Sequence, residues 1–135
     1  MFLSHAQHHK HSYYVIRGTD RLSGFNDDEV ERIALVARYH RKSDPRTKHP
    51  EFAALGEEEQ REVCVLAGLL RVAIGLDRNH AARVASVAVA ETKGRLVVQV
   101  TPTPGEDITL ELYAASTRAG LLRSTLDLEM DFEEA

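Results

Sequence analysis

Residues 57–77 read EEEQREVCVLAGLLRVAIGLD, and this run predicts the core helix of the chain. Its first turn is acidic, which suits the positive end of a helix dipole. Apolar residues then recur at the spacing of one helix face. The residues predicted to face the core are Val63, Leu66, Leu70, Ala73 and Leu76.

A second helix is predicted from about Asp27 to Arg41 by its start signals. Asn26 suits the N-cap position, and Glu29, three residues later, completes a capping box. The apolar residues expected on its core side are Val30, Ile33, Ala34 and Ala37.

Two weaker helical segments accompany this one. Residues 8–17 predict a helix with Tyr14 and Val15 facing inward. Residues 43–50 contain two prolines and no periodicity, so they predict a loop. Pro50 then suits the first position of a short helical turn that reaches Leu55.

After residue 82 the pattern changes to the alternation of apolar and other residues that is typical of strands. The predicted elements are a hairpin at 84–89 and 96–100 around Lys93-Gly94, a strand at 108–112, a helix at 114–122 and a strand at 126–132. The sequence therefore predicts an α+β protein with a helical unit at 1–82 and a small βββαβ unit at 83–135.

Composition restricts the classes of function. The chain has 135 residues, of which 43% are hydrophobic and 28% charged, as in globular domains. Residues 1–80 contain 12 Lys+Arg and 12 Asp+Glu, whereas residues 81–135 contain 5 and 9, so the net charge of −4 lies in the second part. We therefore expect no general nucleic-acid binding.

The chain also lacks the signals of membrane insertion or export. Its apolar runs are too short to cross a bilayer, and no basic segment leads into an apolar one at the N-terminus. Cys64 is the only cysteine, so an intramolecular disulfide is impossible. We expect a cytoplasmic protein.

Two short segments concentrate cationic and phenolic side chains: HHKHSYY at 8–14 and ARYHRK at 37–42. Such groups suit phosphate because they supply positive charge and hydrogen-bond donors. The candidate phosphate-binding residues are His9, Lys10, His11, Arg38, His40 and Arg41. The alternative is that His11 and His40 are hydrogen-bonded packing residues between two helices, with the remainder solvated.

No catalytic site is assigned from the residues alone. The seven histidines do not form a His-Glu-x-x-His pattern, and no paired cysteines accompany them, so we predict no metal or cofactor. The glycines are isolated from one another, which excludes a glycine-rich phosphate loop.

The two cationic segments, together with LRVA at 70–73 and GLDR at 75–78, resemble the C-terminal region of the Ppx/GppA family of exopolyphosphatases and guanosine pentaphosphate phosphohydrolases. The resemblance implies an HD-like helical domain followed by a small α/β subdomain. It also implies that catalysis belongs to N-terminal actin-like domains, which we expect this chain to lack.

The helical domain of that family is similar to the HD superfamily of metal-dependent phosphohydrolases. The resemblance places one metal-ligating aspartate of that superfamily at Ile74, whose side chain cannot bind a cation. The other ligands are expected upstream of residue 1. Whether the chain is an enzyme stays open at this point.

Three functions follow. The first is an accessory domain that binds polyphosphate or a guanosine polyphosphate without hydrolysing it. The second is a degenerate HD-type phosphohydrolase with His9, His11, His40 and Asp77 around a metal. The third is a module that forms a homodimer or docks onto a separately encoded catalytic partner, because absent HD helices would leave Leu66, Leu70 and Ala73 exposed.

Overall fold

The computed structural model describes residues 8–19, 22–41 and 43–135, with side chains from residue 11 onward in those ranges. The elements are α1 (His8–Gly18), α2 (Asp27–Arg38), α3 (Pro50–Ala53), α4 (Glu57–Leu76), β1 (Val84–Thr92), β2 (Arg95–Pro102), α5 (Thr109–Thr117), α6 (Gly120–Leu126) and β3 (Glu129–Glu134). They divide into two compact units, one ending at Ala67 and one beginning at Gly68. The predicted domain boundary after residue 82 stays a prediction.

The start of α2 confirms the predicted capping box. The Asn26 side chain accepts a hydrogen bond from the Glu29 amide at 2.8 Å, and the Glu29 carboxylate accepts one from the Asn26 amide at 2.9 Å. This reciprocal pair satisfies two backbone donors that a helix start otherwise leaves free. The helix therefore begins where its local sequence dictates.

The end of α2 differs from the prediction, because the helix stops at Arg38 rather than Arg41. The Tyr39 amide donates to the carbonyls of Leu35 and Val36 at 3.1 and 3.2 Å, which tightens the last turn. The Tyr39 ring is fully buried and packs edge-on against Phe52, with 6.0 Å between the ring centroids. Tertiary packing of Tyr39 thus accompanies the end of the helix.

Helix α1 forms as predicted, but its inward face is different. Tyr13 is buried, whereas Tyr14 and Val15 are 63% and 53% exposed. The Tyr13 hydroxyl donates to the Glu31 carboxylate of α2 at 2.6 Å. Because this hydrogen bond turns Tyr13 toward α2, the prediction that Tyr14 and Val15 face inward is wrong.

The predicted core face of α4 is only partly right. Val63 is fully buried and Leu76 is half-buried, but Leu66, Leu70 and Ala73 are exposed. The other buried positions of α4 are Ala67, Gly68, Arg71, Val72 and Gly75. The buried side of the helix therefore combines small residues with Arg71 and Val72, whereas Leu69 and Leu70 are exposed.

Two glycines of α4 explain this choice of face. A Cβ atom on Gly75 would lie 2.8 Å from the Ala115 amide nitrogen of α5, and one on Gly68 would lie 2.9 Å from the Leu122 Cβ of α6. Real Cβ atoms do not approach other atoms so closely. The backbones of α5 and α6 reach α4 only because these two positions have no side chain.

The sheet has the strand order β1-β2-β3. The predicted hairpin is confirmed: β1 and β2 are antiparallel, and Lys93 and Gly94 between them both have positive φ, 53° and 74°. Positive φ at both turn residues defines a type I′ turn, whose twist matches that of the strands. Strand β3 runs parallel to β2, so α5 and α6 form the crossover connection that a parallel pair requires.

The predicted third strand at 108–112 is wrong, because this segment begins α5. The Asp107 carboxylate accepts hydrogen bonds from the Thr109 amide at 2.9 Å and the Thr109 hydroxyl at 2.6 Å. These bonds lie at the first residue of α5. The buried residues that follow have helical spacing: Ile108, Glu111, Ala114 and Ala115. The order is therefore ββααβ rather than βββαβ, while the α+β class with a helical unit first is confirmed.

We expect Gly75→Ala to lower the free energy of unfolding by about 1–2 kcal/mol. The added methyl must displace the α5 backbone, and overpacking of this kind costs about 1–3 kcal/mol, against a helix-propensity gain of at most about 1 kcal/mol. Chemical denaturation measures the change. Gly120→Ala is the matched control, because a Cβ there meets nothing within 4 Å. Equal stability of the two variants would contradict the close approach.

Candidate functional site

A cavity of about 170 Å³ lies in the first unit. Its walls come from α1, the last residue of α2 and the start of α3. The lining residues are Tyr13, Tyr14, Arg38, Pro50 and Glu51. The cavity therefore combines two phenols, one guanidinium and one carboxylate.

Arg38 is the central cation of this cavity. It is only 7% exposed, and its Nη1 lies 3.3 Å from the Glu51 Oε2. Its guanidinium also stands 5.4 Å from the centroid of the Tyr39 ring, a cation–π contact. Its Nε is buried without a hydrogen-bond partner among the described residues. A buried cation with a long ion pair and an orphaned nitrogen is incompletely satisfied.

The phenols beside Arg38 are donors rather than nucleophiles. Burial and the hydrogen bond to Glu31 raise the pKa of Tyr13 well above its ordinary value. Burial also raises the pKa of Tyr39 to about 12, despite the opposing effect of Arg38. Both hydroxyls thus keep their protons at neutral pH.

His49 reports the electrostatic potential near the cavity. Its ring stacks on Tyr39 with 5.6 Å between centroids, and its Nδ1 lies 2.6 Å from the Tyr39 hydroxyl oxygen. Burial lowers the pKa of His49 most, and the charges of Arg38, Lys48 and Arg46 lower it further, in that order. The Glu51 carboxylate opposes them with a smaller effect, so cations dominate the potential at this ring.

The structure places the predicted phosphate-binding residues in different settings. Arg38 lines the cavity, and Arg41 is exposed beyond the end of α2. The His40 Nδ1 hydrogen-bonds to the Ala37 carbonyl of its own helical turn.

Three further predicted residues belong to α1. His11 is exposed. The backbones of His9 and Lys10 lie in the helix, but their side chains fall outside the described part of the structure. The assignment of these residues to phosphate binding stays a prediction.

Several groups near the cavity were not predicted from the sequence. Glu51 follows Pro50 at the start of α3, and the segment Arg46-Thr47-Lys48-His49 precedes it. In the sequence, the two cations and the histidine of that segment belong to a predicted loop. Their local signal is a basic run between two prolines, which does not indicate the residues that they approach.

No described set of three His, Cys, Asp or Glu residues is arranged to hold a metal ion. Asp77, named in the metal-hydrolase alternative, instead lies 3.1 Å from the Nδ1 of His80, and both side chains are exposed. Among the same residues, no helix has the length and apolar character needed to cross a membrane.

Comparison with known families decides the relationship. Residues 1–116 match the family model described as Ppx/GppA phosphatase, domain III. The chain belongs to the Ppx/GppA phosphatase family. The resemblance carried by the two cationic segments is therefore confirmed, and the match covers α1 to α4, the β1–β2 hairpin and most of α5. Domain III of Ppx/GppA phosphatases is the C-terminal accessory region expected from the sequence.

We expect the protein to lose stability as the pH falls through about 6.5, the ordinary histidine pKa. Because the pKa of His49 is lowered in the folded state, the unfolded chain binds more protons in the interval between the two pKa values. The free energy of unfolding therefore rises with pH across that interval, and below the interval His49 contributes no further change. Urea denaturation at several pH values measures the slope.

His49→Gln should flatten this pH slope, because glutamine keeps a hydrogen-bond acceptor for Tyr39 but does not titrate. His11→Gln makes the same change at an exposed position of α1 and should leave the slope as in wild type. If both variants keep the wild-type slope, His49 does not contribute to acid sensitivity.

Proposed function

We propose that this domain is a non-catalytic accessory domain of a Ppx/GppA phosphatase that binds the phosphate groups of polyphosphate or of a phosphorylated guanosine nucleotide. The observation that carries the proposal is Arg38, a buried and incompletely satisfied guanidinium in the wall of a cavity. The membership of the chain in the Ppx/GppA phosphatase family supports a phosphorylated ligand.

The chemistry of the cavity favours an anion that accepts several hydrogen bonds. Arg38 provides a fixed positive charge, and arginine nitrogens pair well with phosphate oxygens. The partner carboxylate of Glu51 is 3.3 Å away and about one third exposed, so it neutralises Arg38 only in part. The guanidinium of Arg38 would therefore stabilise a bound phosphate group more than it would stabilise a neutral ligand.

The neighbouring segment extends this positive potential toward solvent. Arg46 and Lys48 are exposed, and together with Arg38 they lower the pKa of His49. A chain of phosphates is long enough to engage several such cations at once, whereas inorganic phosphate is not. We therefore expect a preference for polyphosphorylated ligands over inorganic phosphate.

We expect polyphosphate and guanosine pentaphosphate to raise the melting temperature, and inorganic phosphate to have a smaller effect. Ligands that bind only the folded state stabilise it by mass action. The stabilisation should weaken with added salt, because exposed cations are screened. Calorimetric titration at two salt concentrations would give the dissociation constants.

The double variant Arg46→Ala/Lys48→Ala should weaken binding by at least about tenfold, since a hydrogen bond to a charged group contributes about 1.5–3 kcal/mol. Arg95→Ala/Arg118→Ala also removes two cations, from exposed positions of the second unit, and should bind as wild type does. Arg38→Lys keeps the charge but loses the planar fork, so it should also weaken binding. Absence of stabilisation by any ligand at low salt would overturn the proposal.

A second candidate function is favoured by the exposed apolar face of α4. Three large side chains of α4 in the second unit are substantially exposed: Leu69 at 50%, Leu70 at 38% and Ile74 at 36%. Contiguous exposed apolar surface is typical of a site that another protein covers. For a domain III, the corresponding partner is the catalytic part of a Ppx/GppA phosphatase.

This docking candidate predicts that the chain associates in trans with the catalytic domains of a Ppx/GppA phosphatase. Leu70→Glu should weaken that association at least about tenfold, because it buries an unpaired carboxylate at the contact. Leu110→Glu on α5 is the control, since Leu110 is 56% exposed and carries the same change. Sedimentation of the mixture measures association, and equal complexes with both variants would exclude the α4 face.

A cytoplasmic location also belongs to this proposal. The single cysteine, Cys64, suits a reducing compartment, where the phosphorylated nucleotides expected as ligands are found. No catalytic residue is proposed for this chain.

A further inference from the structure

The two edges of the sheet differ in charge. Strand β3 reads EMDFEE, with four carboxylates in six residues, and Asp131 forms an ion pair with Arg95 of β2. Strand β1 reads VASVAVAET and carries one charged residue, Glu91, near its end. Natural sheets protect free edges with charged residues, prolines or bulges. Edge β3 has such protection. Strand β1 has a bulge between Val84 and Ser86 and a charge at Glu91, but residues 86–90 between them have neither.

One face of the sheet is apolar on both β1 and β2, but it is buried only on β2. Val89 and Val87 of β1 pair with Val98 and Val100 of β2, so all four valines share one face. Val98 and Val100 are 6% and 0% exposed, but Val87 and Val89 are 46% and 61% exposed. The first strand of the sheet thus continues an apolar layer that is about half exposed at β1.

The opposite face of β1 is flat. Its side chains are small ones: Ser86, Ala88 and Ala90, all exposed. A flat strand edge without large side chains on one face permits the close approach that a neighbouring strand needs, with about 4.8 Å between strands.

The hairpin fixes which backbone groups of β1 point outward. Thr92 and Arg95 flank the two-residue turn and form its closing hydrogen-bonded pair. Because bonded and non-bonded pairs alternate along an antiparallel ladder, the amide and carbonyl groups of Val87, Val89 and Glu91 point away from β2. These groups form a regular array of donors and acceptors along the edge.

We propose that β1 of a second copy of this chain pairs antiparallel with this edge, with the two-fold axis at Ala88. The two sheets of three strands would then form one continuous sheet of six. This interface lies in the second unit and does not rest on phosphate binding by the first.

The sequence of β1 is complementary to itself in this register. Ala88 is the middle residue of the strand, so the regular segment 86–90 pairs with the same segment of the second copy. Val87 then lies opposite Val89 of the second copy, and Glu91 faces the bulged end of the strand at Ala85. The exposed valines cover one another, and the only carboxylate of the strand meets no like charge.

Charges beyond the ends of β1 are also complementary. Lys93 follows the strand and would reach the region of Arg83 of the second copy. Arg83 is held between Glu106 at 3.4 Å and Glu111 at 3.2 Å, so that group carries one net negative charge. A lysine from each copy therefore meets a negative cluster on the other.

The interface is small. The regular ladder of residues 86–90 is about 17 Å long, and such an edge contact lies below the lower limit of about 1,200 Å² for specific complexes. We therefore expect a dimer that dissociates on dilution, with a dissociation constant in the micromolar range.

Cysteine cross-linking tests the register. In a Cys64→Ser background, Ala88→Cys places two thiols directly opposite each other, in a non-bonded pair with about 4.5 Å between Cα atoms. Mild oxidation should give a disulfide-linked dimer. Ala90→Cys is the matched control on the same face, because its two copies are four residues out of register and about 13 Å apart. Equal cross-linking of both variants, or of neither, would overturn the proposal.

Light scattering over a range of concentrations tests the interface without engineered cysteines. Val89→Lys places a charge in the centre of the ladder and should raise the dimer dissociation constant at least about tenfold. Val15→Lys makes the same change at a valine of similar exposure on α1 and should leave the dimer intact. A monomer at every concentration, or a dimer that Val89→Lys does not weaken, would refute the proposal.

Discussion

The close approach of helices at Gly68 and Gly75 is the constraint on which the second unit depends. The two glycines lie seven residues apart, which is about two helical turns, so they occupy the same side of α4. At each glycine, an atom of another helix lies where a side chain would otherwise stand: the Ala115 amide nitrogen of α5 at Gly75 and the Leu122 Cβ of α6 at Gly68. Because glycines occupy two positions of the packed side, Leu69 and Leu70 lie on another side of α4, where they are exposed.

The same unit contains a buried charge that helps position α5. Glu111 is 1% exposed, and its Oε2 lies 3.2 Å from Nη1 of Arg83, the residue before β1. Burial of a carboxylate is costly unless it is paired. This ion pair therefore connects α5 to the residue at which the hairpin begins. Its other oxygen has no partner among the described residues. The side chain that a strand prediction would have placed in solvent is therefore one of the most buried in the molecule.

Features set by neighbouring residues were predictable from the sequence, whereas features set by distant contacts were not. The capping box at Asn26 and the turn at Lys93-Gly94 involve side chains and backbone only a few residues apart. The segment 108–112 was mispredicted because apolar residues at alternate positions satisfy a strand period and, over so short a length, also part of a helix period. Its local helix signal was Asp107, whose hydrogen bonds to Thr109 open α5.

The candidate site shows the same limit. The sequence identifies Arg38 as a candidate through its basic segment. Its partner Glu51 lies 13 residues away, beyond a loop with no periodic signal, so their contact was not predictable. Tyr13 and Tyr14 are adjacent in sequence, but only Tyr13 is buried. The hydrogen bond that accompanies its burial joins the Tyr13 hydroxyl to Glu31, 18 residues away.

Ligand binding and association would draw on different properties of this chain. The cavity at Arg38 depends on incompletely neutralised charge, which salt weakens. The β1 edge depends on backbone hydrogen bonds and apolar contact, which salt affects little. Residues 86–90 of β1 carry no charge, while β3, in the same sheet, is strongly acidic. An unprotected edge is an aggregation hazard unless something pairs with it, so the contrast between the two edges is best explained by a partner strand at β1.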